Sequence, residues 1–307
     1  MSDTHAIGVD LGGTKILAGV VTRDGEVLRR HERITSLESQ EALVAELETA
    51  IAEVLGDDVG AIGMGVPGPL DLVGGRTYDM VNLPFHDFPL RDHMAKRFGL
   101  PVGIDNDANA AAIAEWRVGA ARGVDDVVML TVGTGLGGGV ISNGRPFRGA
   151  HGGGVELGHV VIVHDGRPCQ GRCTGRGHLE PYVTGLAATR AAQDAFGPAA
   201  DAHRLVRLAN EGDAKAKELL EEIAGYLGSG IGSFVNVFAP QLVVLGGGFG
   251  VAAFDYLRGP AEEVARREAL EPMRSGVRLA KAELGTAAGL IGAAFVGFEA
   301  LDTAEST

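Results

Sequence analysis

Residues 6–21 read Ala6-Ile7-Gly8-Val9-Asp10-Leu11-Gly12-Gly13-Thr14-Lys15-Ile16-Leu17-Ala18-Gly19-Val20-Val21. Ala6–Asp10 is a short apolar run with strand character, 11–14 is a turn, and Ile16–Val21 resumes as a strand. Asp24-Gly25 turns the chain again before a third strand at Val27–Arg30, so the opening predicts a β-meander. The same unit returns at Val127–Val132, with Gly133-Thr134-Gly135-Leu136-Gly137-Gly138-Gly139 as the turn and Val140–Ser142 as the second strand. Each copy is followed by helix and strand. The chain therefore reads as a duplicated α/β fold, two similar domains with a cleft between them.

Between and beyond the two copies the pattern alternates. Leu43, Leu47, Ile51, Val54 and Leu55 fall at helical spacing, Val59–Val66 is a buried strand, and 67–89 is a loop. A short helix at Pro89–Phe98 and a strand at Pro101–Ile104 precede an alanine-rich helix, Asp107–Val118, with Asp105 and Asn106 as cap residues. After an irregular stretch at 148–178 the chain reads mostly as helix to Phe238. A strand at Leu242–Leu245 then ends in Gly246-Gly247-Gly248, and a strand at Val277–Ala280 and a final helix at 286–299 follow.

The chain has 307 residues, enough for roughly two domains. Its formal charge is −13, which makes nucleic acid and anionic lipid poor partners. No apolar run approaches the ~20 residues of a membrane span, and 1–10 does not read as a signal peptide. Two cysteines build no disulfide framework and suggest a reducing cytoplasm. Glycine is the outlier, 48 residues or about double its usual share, in clusters that suggest loops where backbone approaches a ligand.

Several glycine motifs fail their structural tests. Gly63–Gly68 fits G-x-G-x-x-G, but proline and a loop follow it rather than a helix. Gly133–Val140 fits a protein-kinase loop in a chain without D-F-G or H-R-D. His151-Gly152-Gly153-Gly154 resembles an esterase oxyanion loop, with no G-x-S-x-G to supply a nucleophile. No Walker A loop occurs.

The two hairpin turns are more informative. Gly12 and Gly13 leave amides free to approach an oxyanion, Thr14 adds a hydroxyl, and Asp10 could hold Mg²⁺ directly or through water. Alone this is as well read as a plain hairpin; two such turns together suit a polyphosphate. Asp105, Asn106, Asp107 and Asn109 crowd a helix start. That is more than capping needs, and phosphoryl transfer to an alcohol wants a carboxylate to take the proton and amides to orient the acceptor. Glu156-Leu157-Gly158-His159 opens a third group, His159-x9-Cys169-x3-Cys173-x4-His178, followed by Glu180. Two thiolates and two imidazoles suit tetrahedral zinc; free thiols or a local disulfide are the alternatives.

Taken in order, Asp10–Lys15, Gly65–Pro69, Ile104–Ala110, Thr131–Gly139, Glu156–His159 and Val244–Gly248 resemble the motifs of the ROK family of bacterial sugar kinases, most of all its glucokinases. The resemblance implies an actin-like, hexokinase-like (ribonuclease H-like) fold. It implies a small domain of 1–118 plus 287–307 with a returning C-terminal helix, and a large domain of 119–286 with a zinc loop. It implies ATP-dependent phosphorylation of a hexose, D-glucose first, with another hexose, an N-acetylhexosamine or a non-catalytic sugar-binding member of the family as the alternatives. A repressor reading is disfavoured, because the phosphate-binding strand starts at residue 6 and leaves no room for a helix-turn-helix.

Asp107 matches the catalytic base, and Asn82, Asn106, Glu156, His159 and Glu180, with Asp107, the sugar contacts. Asp10, Gly12, Gly13, Thr14, Lys15, Gly133, Thr134, Gly135, Gly137 and Gly138 match the Mg-ATP site, and Gly246 and Gly247 pass near the adenosine. The family also implies structural Zn²⁺ and a homodimer or homotetramer. One departure stands out: the family's zinc loop reads Cys-x-Cys-Gly-x-x-Gly-Cys-Leu-Glu after a Gly-His. Here Cys169 lies four residues before Cys173, not two, and His178 replaces the last cysteine.

Overall fold

The computed structural model describes residues 4–80, 82–150 and 152–306; His151, quoted above, lies outside them. The chain divides into two compact units, one of residues 1–122, 146–155 and 286–307, the other of 123–145 and 156–285.

In the first unit, β1 (His5–Leu11), β2 (Lys15–Val21) and β3 (Val27–Ile34) form the meander. Helix α1 (Gln40–Val54) follows, capped by Ser39, whose hydroxyl accepts from the Ala42 amide at 3.1 Å. Then come β4 (Val59–Val66), two-residue strands β5 (Leu70–Asp71) and β6 (Arg76–Thr77), α2 (Leu90–Phe98), β7 (Val102–Asn106) and α3 (Asp107–Val118). The sheet order is β3-β2-β1-β4-β7, antiparallel through the meander and parallel from β1 to β4 to β7. Helix α1 covers β2 and β3 with Leu43, Leu47 and Ile51, all fully buried. The C-terminal helix, Ala288–Glu305, returns to pack on β1, β4, β7 and α3.

The second unit repeats the plan. Strands β8 (Val127–Val132), β9 (Leu136–Ser142) and β10 (Arg145–Pro146) lead, through a 3₁₀ turn at Leu157–His159, to helices α4 (Glu180–Val183), α5 (Gly185–Phe196), α6 (Ala202–Asn210) and α7 (Ala214–Phe238). Then follow β11 (Leu242–Gly246), α8 (Gly248–Ala252), α9 (Phe254–Glu268) and β12 (Leu279–Lys281). The order β10-β9-β8-β11-β12 is that of the first sheet, strand for strand. The register agrees too: Asp10 faces Gly65 across the parallel ladder of its sheet, and Thr131 faces Gly246 across the other. The duplication expected from residues 6–21 and 127–142 is present.

Three expectations change. The second strand of the second hairpin begins at Leu136, so Gly137, Gly138 and Gly139 lie inside β9 and the turn is only Gly133–Gly135. Much of the excess glycine serves packing rather than ligand approach. A Cβ on Gly8 would strike the Leu290 carbonyl, one on Gly63 the Ala293 carbonyl, and one on Gly103 the Val296 carbonyl, so these glycines let the C-terminal helix lie directly on the sheet backbone. Gly228 and Gly232 do the same between α7 and α9. Finally, the stretch Gly285–Glu305 that holds this helix is long and apolar enough, by length and composition only, to cross a membrane, with mean hydropathy 1.3 over its most apolar 18 residues, where the sequence suggested no such run. Its apolar residues, Leu290, Ile291, Ala294 and Phe298 among them, are buried inside the first unit, which accounts for its composition.

Candidate active site

In the first unit, two carboxylates gather where β1 and β7 end. Asp10 is the penultimate residue of β1, and burial pushes its pKa up to about 6, helped by repulsion from Asp107 and opposed by Lys15. Asp107 opens α3. Its pKa too is raised, by burial, against the Ala108 amide, which donates to Oδ1 at 2.8 Å. Asn106 caps the helix, its Oδ1 accepting from the Ala108 and Asn109 amides at 2.9 and 3.3 Å. Gly65 lies beside this turn, where a Cβ would sit in ordinary contact with Ala110 at 3.4 Å and the Asp107 Cα at 3.6 Å. Gly289, at the start of the C-terminal helix, sits over Asp10, where a Cβ would come 2.5 Å from Oδ2.

Asp105 and Asn109, read from the sequence as part of the same polar cluster, do other work. Asp105 is fully buried in the last turn of β7, accepting from the Asn109 Nδ2 at 3.0 Å and the Asn106 amide at 2.8 Å, and pairing with Arg148 at 2.6 Å. Asp105 is therefore a strand residue rather than a helix cap.

The first turn is tighter than expected. The Gly12 amide is not free: it donates to the Lys15 carbonyl at 2.9 Å. Thr35, which sequence reasoning missed, pins the turn, its hydroxyl donating to the Gly12 carbonyl at 2.7 Å and its amide to Thr14. The Lys15 ammonium pairs with Glu32 at 2.9 Å, half exposed. Gly13 remains open; a Cβ there would meet nothing. Asn82 is exposed in the loop before α2.

In the second unit the matching turn closes one residue tighter, Gly133 donating its amide to the Gly135 carbonyl at 2.9 Å. Glu180, first residue of α4, accepts from the Leu136 amide at 2.9 Å and lies against Gly135. A cavity of about 440 Å³ opens beside Gly133 and Thr134, walled by Leu186, Thr189, Val206, Gly248 and Phe249. Gly133, Thr134 and, as the end of the Gly246–Gly248 run, Gly248 were singled out from sequence; the apolar walls come from α5, α6 and α8, too far apart in the chain to form a motif. Gly138 makes room for Leu157, Gly246 for Met129, and Gly247 (φ +78) for the Val132 backbone, so these three glycines serve packing.

His159, Cys169, Cys173 and His178 meet, with ligand atoms all within 4.8 Å of one another. The two Nδ1 atoms are 3.1 Å apart, Cys169 Sγ is 3.5 Å from His159 Nδ1, and Cys173 Sγ is 3.6 Å from His178 Nδ1. Tetrahedral zinc with bonds of about 2.0–2.3 Å needs ligand–ligand edges of roughly 3.3–3.8 Å, so the donors fit the ion. Both cysteines are free thiols. Burial pushes the Cys169 thiol up to about 11, and a bound cation would reverse that. The loop folds back on itself, Cys169 donating its amide to Gly175 and Gly177 to Arg167, and Leu179 donates to Val160, which seats Glu180. Glu156 begins the 3₁₀ turn, its carbonyl accepting from the His159 amide.

A sequence profile described as the ROK family matches residues 6–298. Glucokinase of Thermotoga maritima is 34% identical over 313 residues, covering 96% of this chain and 98% of that one. A ROK hexokinase structure from Thermus thermophilus superposes with TM-score 0.82 at 39% identity, covering 98% and 100% of the two chains. A ROK family glucokinase from Streptomyces griseus, solved with glucose and AMPPNP, gives TM-score 0.81 at 34% identity over 96% and 99%.

Proposed function

The chain belongs to the ROK family and is a sugar kinase, and on that premise we propose that it transfers the γ-phosphoryl group of ATP to the 6-hydroxyl of D-glucose with Asp107 as base. One observation carries the reading: two half-buried carboxylates with pKa raised by desolvation, Asp10 near the end of β1 and Asp107 at the start of α3, are close enough to repel one another, and the capping Asn106 stands between strand and base. A neighbouring pair of half-buried acids wants a cation on one and a proton acceptor's role for the other.

Asp107 accepts the hydroxyl proton as the sugar oxygen bonds to the γ-phosphorus, and the bond to the β-phosphate oxygen breaks to leave ADP. The raised pKa makes Asp107 a better base than an ordinary aspartate. Asn106 spends Oδ1 on the helix cap and turns its amide group towards the Asp107 carboxylate, so that its two Nδ2 hydrogens serve the base and a sugar hydroxyl together. Glu180 spends Oε2 on the Leu136 amide, which leaves Oε1 for another. Glu156, His159 and Asn82 complete the sugar-binding set.

For ATP, the cavity beside Gly133 and Thr134 is within the usual size of a ligand pocket. Leu186, Val206 and Phe249 suit a purine face, and Thr134 stands at the polar end. Gly13 and Thr14 offer open backbone to phosphate, while Gly12 and Lys15 shape their turn. Gly246 and Gly247 act by letting α8 and its neighbours close on β8. Mg²⁺, which offsets charge on the transferring phosphate, would sit at Asp10, whose carboxylate has only Lys15 to oppose its burial. Zn²⁺ would be structural, held by His159, Cys169, Cys173 and His178.

The test is a coupled kinase assay over glucose, fructose, mannose, galactose, N-acetylglucosamine and N-acetylmannosamine, each with ATP or polyphosphate. The expected result is the highest kcat/KM for glucose with ATP. A higher value for an N-acetylhexosamine would move the assignment to that sugar.

A further inference from the structure

Arg148 belongs to none of the motifs discussed so far, yet it touches the best-buried acid near Asp107. Its Nε donates to Asp105 Oδ2 at 2.6 Å and its Nη2 to Glu299 at 2.8 Å. Asp105 is wholly inaccessible, and its other oxygen accepts from the Asn106 amide and the Asn109 side chain. Asn106 caps α3, and Asp107 is the first residue of that helix. An unbroken chain of contacts thus runs from Glu299 on the C-terminal helix through Arg148 and Asp105 to the residue before the base.

Arg148 also anchors its own segment. Its carbonyl accepts from the Gly154 amide at 3.1 Å, and Gly152 (φ +78) fits against Leu72 where no side chain would go. Residues 146–155 are thereby strapped onto the first unit, although they follow β9 in the chain, and the strap runs on into Glu156.

We propose that Arg148 is a positioning residue of the phosphotransfer site: it grips Asp105 and Glu299 together, and so sets the Asn106–Asp107 turn and the strap that leads to Glu156. The proposal rests on the reading of Asp107 as base. The side-chain hydrogen bonds of Arg148 run to Asp105 and Glu299, so its effect on Asp107 passes through Asp105 and Asn106. A planar guanidinium can bridge two carboxylates at once, where an ammonium serves one.

A merely structural arginine would do no more than neutralise a buried acid, and the two roles separate experimentally. Arg148→Met strands the Asp105 charge, so both the melting temperature and kcat should fall. Asp105→Asn/Arg148→Met removes the stranded charge and should recover most of the melting temperature. If Arg148 positions, kcat of the double variant stays about 10–100-fold low, the sugar KM stays raised, and the KM for ATP stays within about twofold of the parent. Arg148→Lys, which keeps one charge but loses the bridge, should fold normally with the same kinetic pattern. Recovery of kcat along with stability in the double variant, or parental kinetics in Arg148→Lys, would overturn the proposal. Asp107→Asn assayed alongside keeps the premise separate: parental turnover there removes the base, whatever the Arg148 variants do.

Discussion

Asp107 reaches its position because a strand ends and a helix begins between residues 106 and 107. Replacing it with asparagine keeps shape and cap geometry and removes the proton acceptor. Asp107→Asn should bind sugar with near-parental affinity by calorimetry while kcat falls by roughly 10²–10⁴, the usual worth of a positioned base; turnover near the parent's would take Asp107 out of that role. Asp10 makes a separate prediction about stability. Its folded pKa of about 6 lies above the ordinary 3.8. Between those values the folded chain holds the proton more tightly than the unfolded chain, so this group's contribution to stability falls as pH rises through the window. Above about pH 6 the whole cost is present, on the order of 2–3 kcal/mol. Asp10→Asn, without Mg²⁺ or nucleotide, should therefore melt higher than the parent at pH 8, with the advantage fading towards pH 4. A difference that does not change with pH would show that burial of the charge is not what Asp10 contributes.

The hairpin turns show what can be read at the level of the element and what cannot. Strand-turn-strand at 6–21 and 127–142 was visible because alternating apolar runs stop at glycines, and the observed strands keep those limits within a residue or two, apart from β9. The start of β9 was hidden because Gly137–Gly139 look like turn residues; what makes them strand is pairing across the hairpin with Thr131, Leu130 and Met129, which residue composition does not carry. From sequence the two turns also look equivalent, and they are not. At Gly13 a side chain would meet nothing, whereas at Gly135 a Cβ would sit 3.0 Å from Glu180 Oε2. Gly13→Val should raise the KM for ATP and leave sugar affinity, measured without nucleotide, where it was. Gly135→Val should weaken both, because it pushes Glu180 off the Leu136 amide. Equal behaviour of the two variants would mean that Glu180 does not feel the turn.

At the scale of the molecule the chain is one plan used twice, with insertions where the chemistry differs. The repeat was legible, as was the order of the motifs. The Arg148 strap, the Thr35 pin and the apolar walls of the 440 Å³ cavity were not, since each depends on segments brought together only by folding. The longest insertion is the loop between the 3₁₀ turn and α4, and its four donors mark where this chain departs from the pattern of its family. The altered spacing, with Cys169 four residues before Cys173 and a histidine at 178, still brings all four donor atoms within 4.8 Å of one another, three pairs of them at 3.1–3.6 Å, close to tetrahedral edge lengths. The loop is rich in glycine and arginine, and few of its side chains are buried. A bound ion would supply much of its order. Leu179 and Glu180 follow directly, so a bound metal would fix Glu180 through the chain rather than through phosphate contacts. One zinc per chain is expected by metal analysis of the purified protein. Stripping it with a chelator should raise the sugar KM several-fold more than the ATP KM, and Cys173→Ser should reproduce the effect. Fully active protein with a zinc content near zero would show instead that hydrogen bonds such as Cys169 to Gly175 and Gly177 to Arg167 hold the loop unaided.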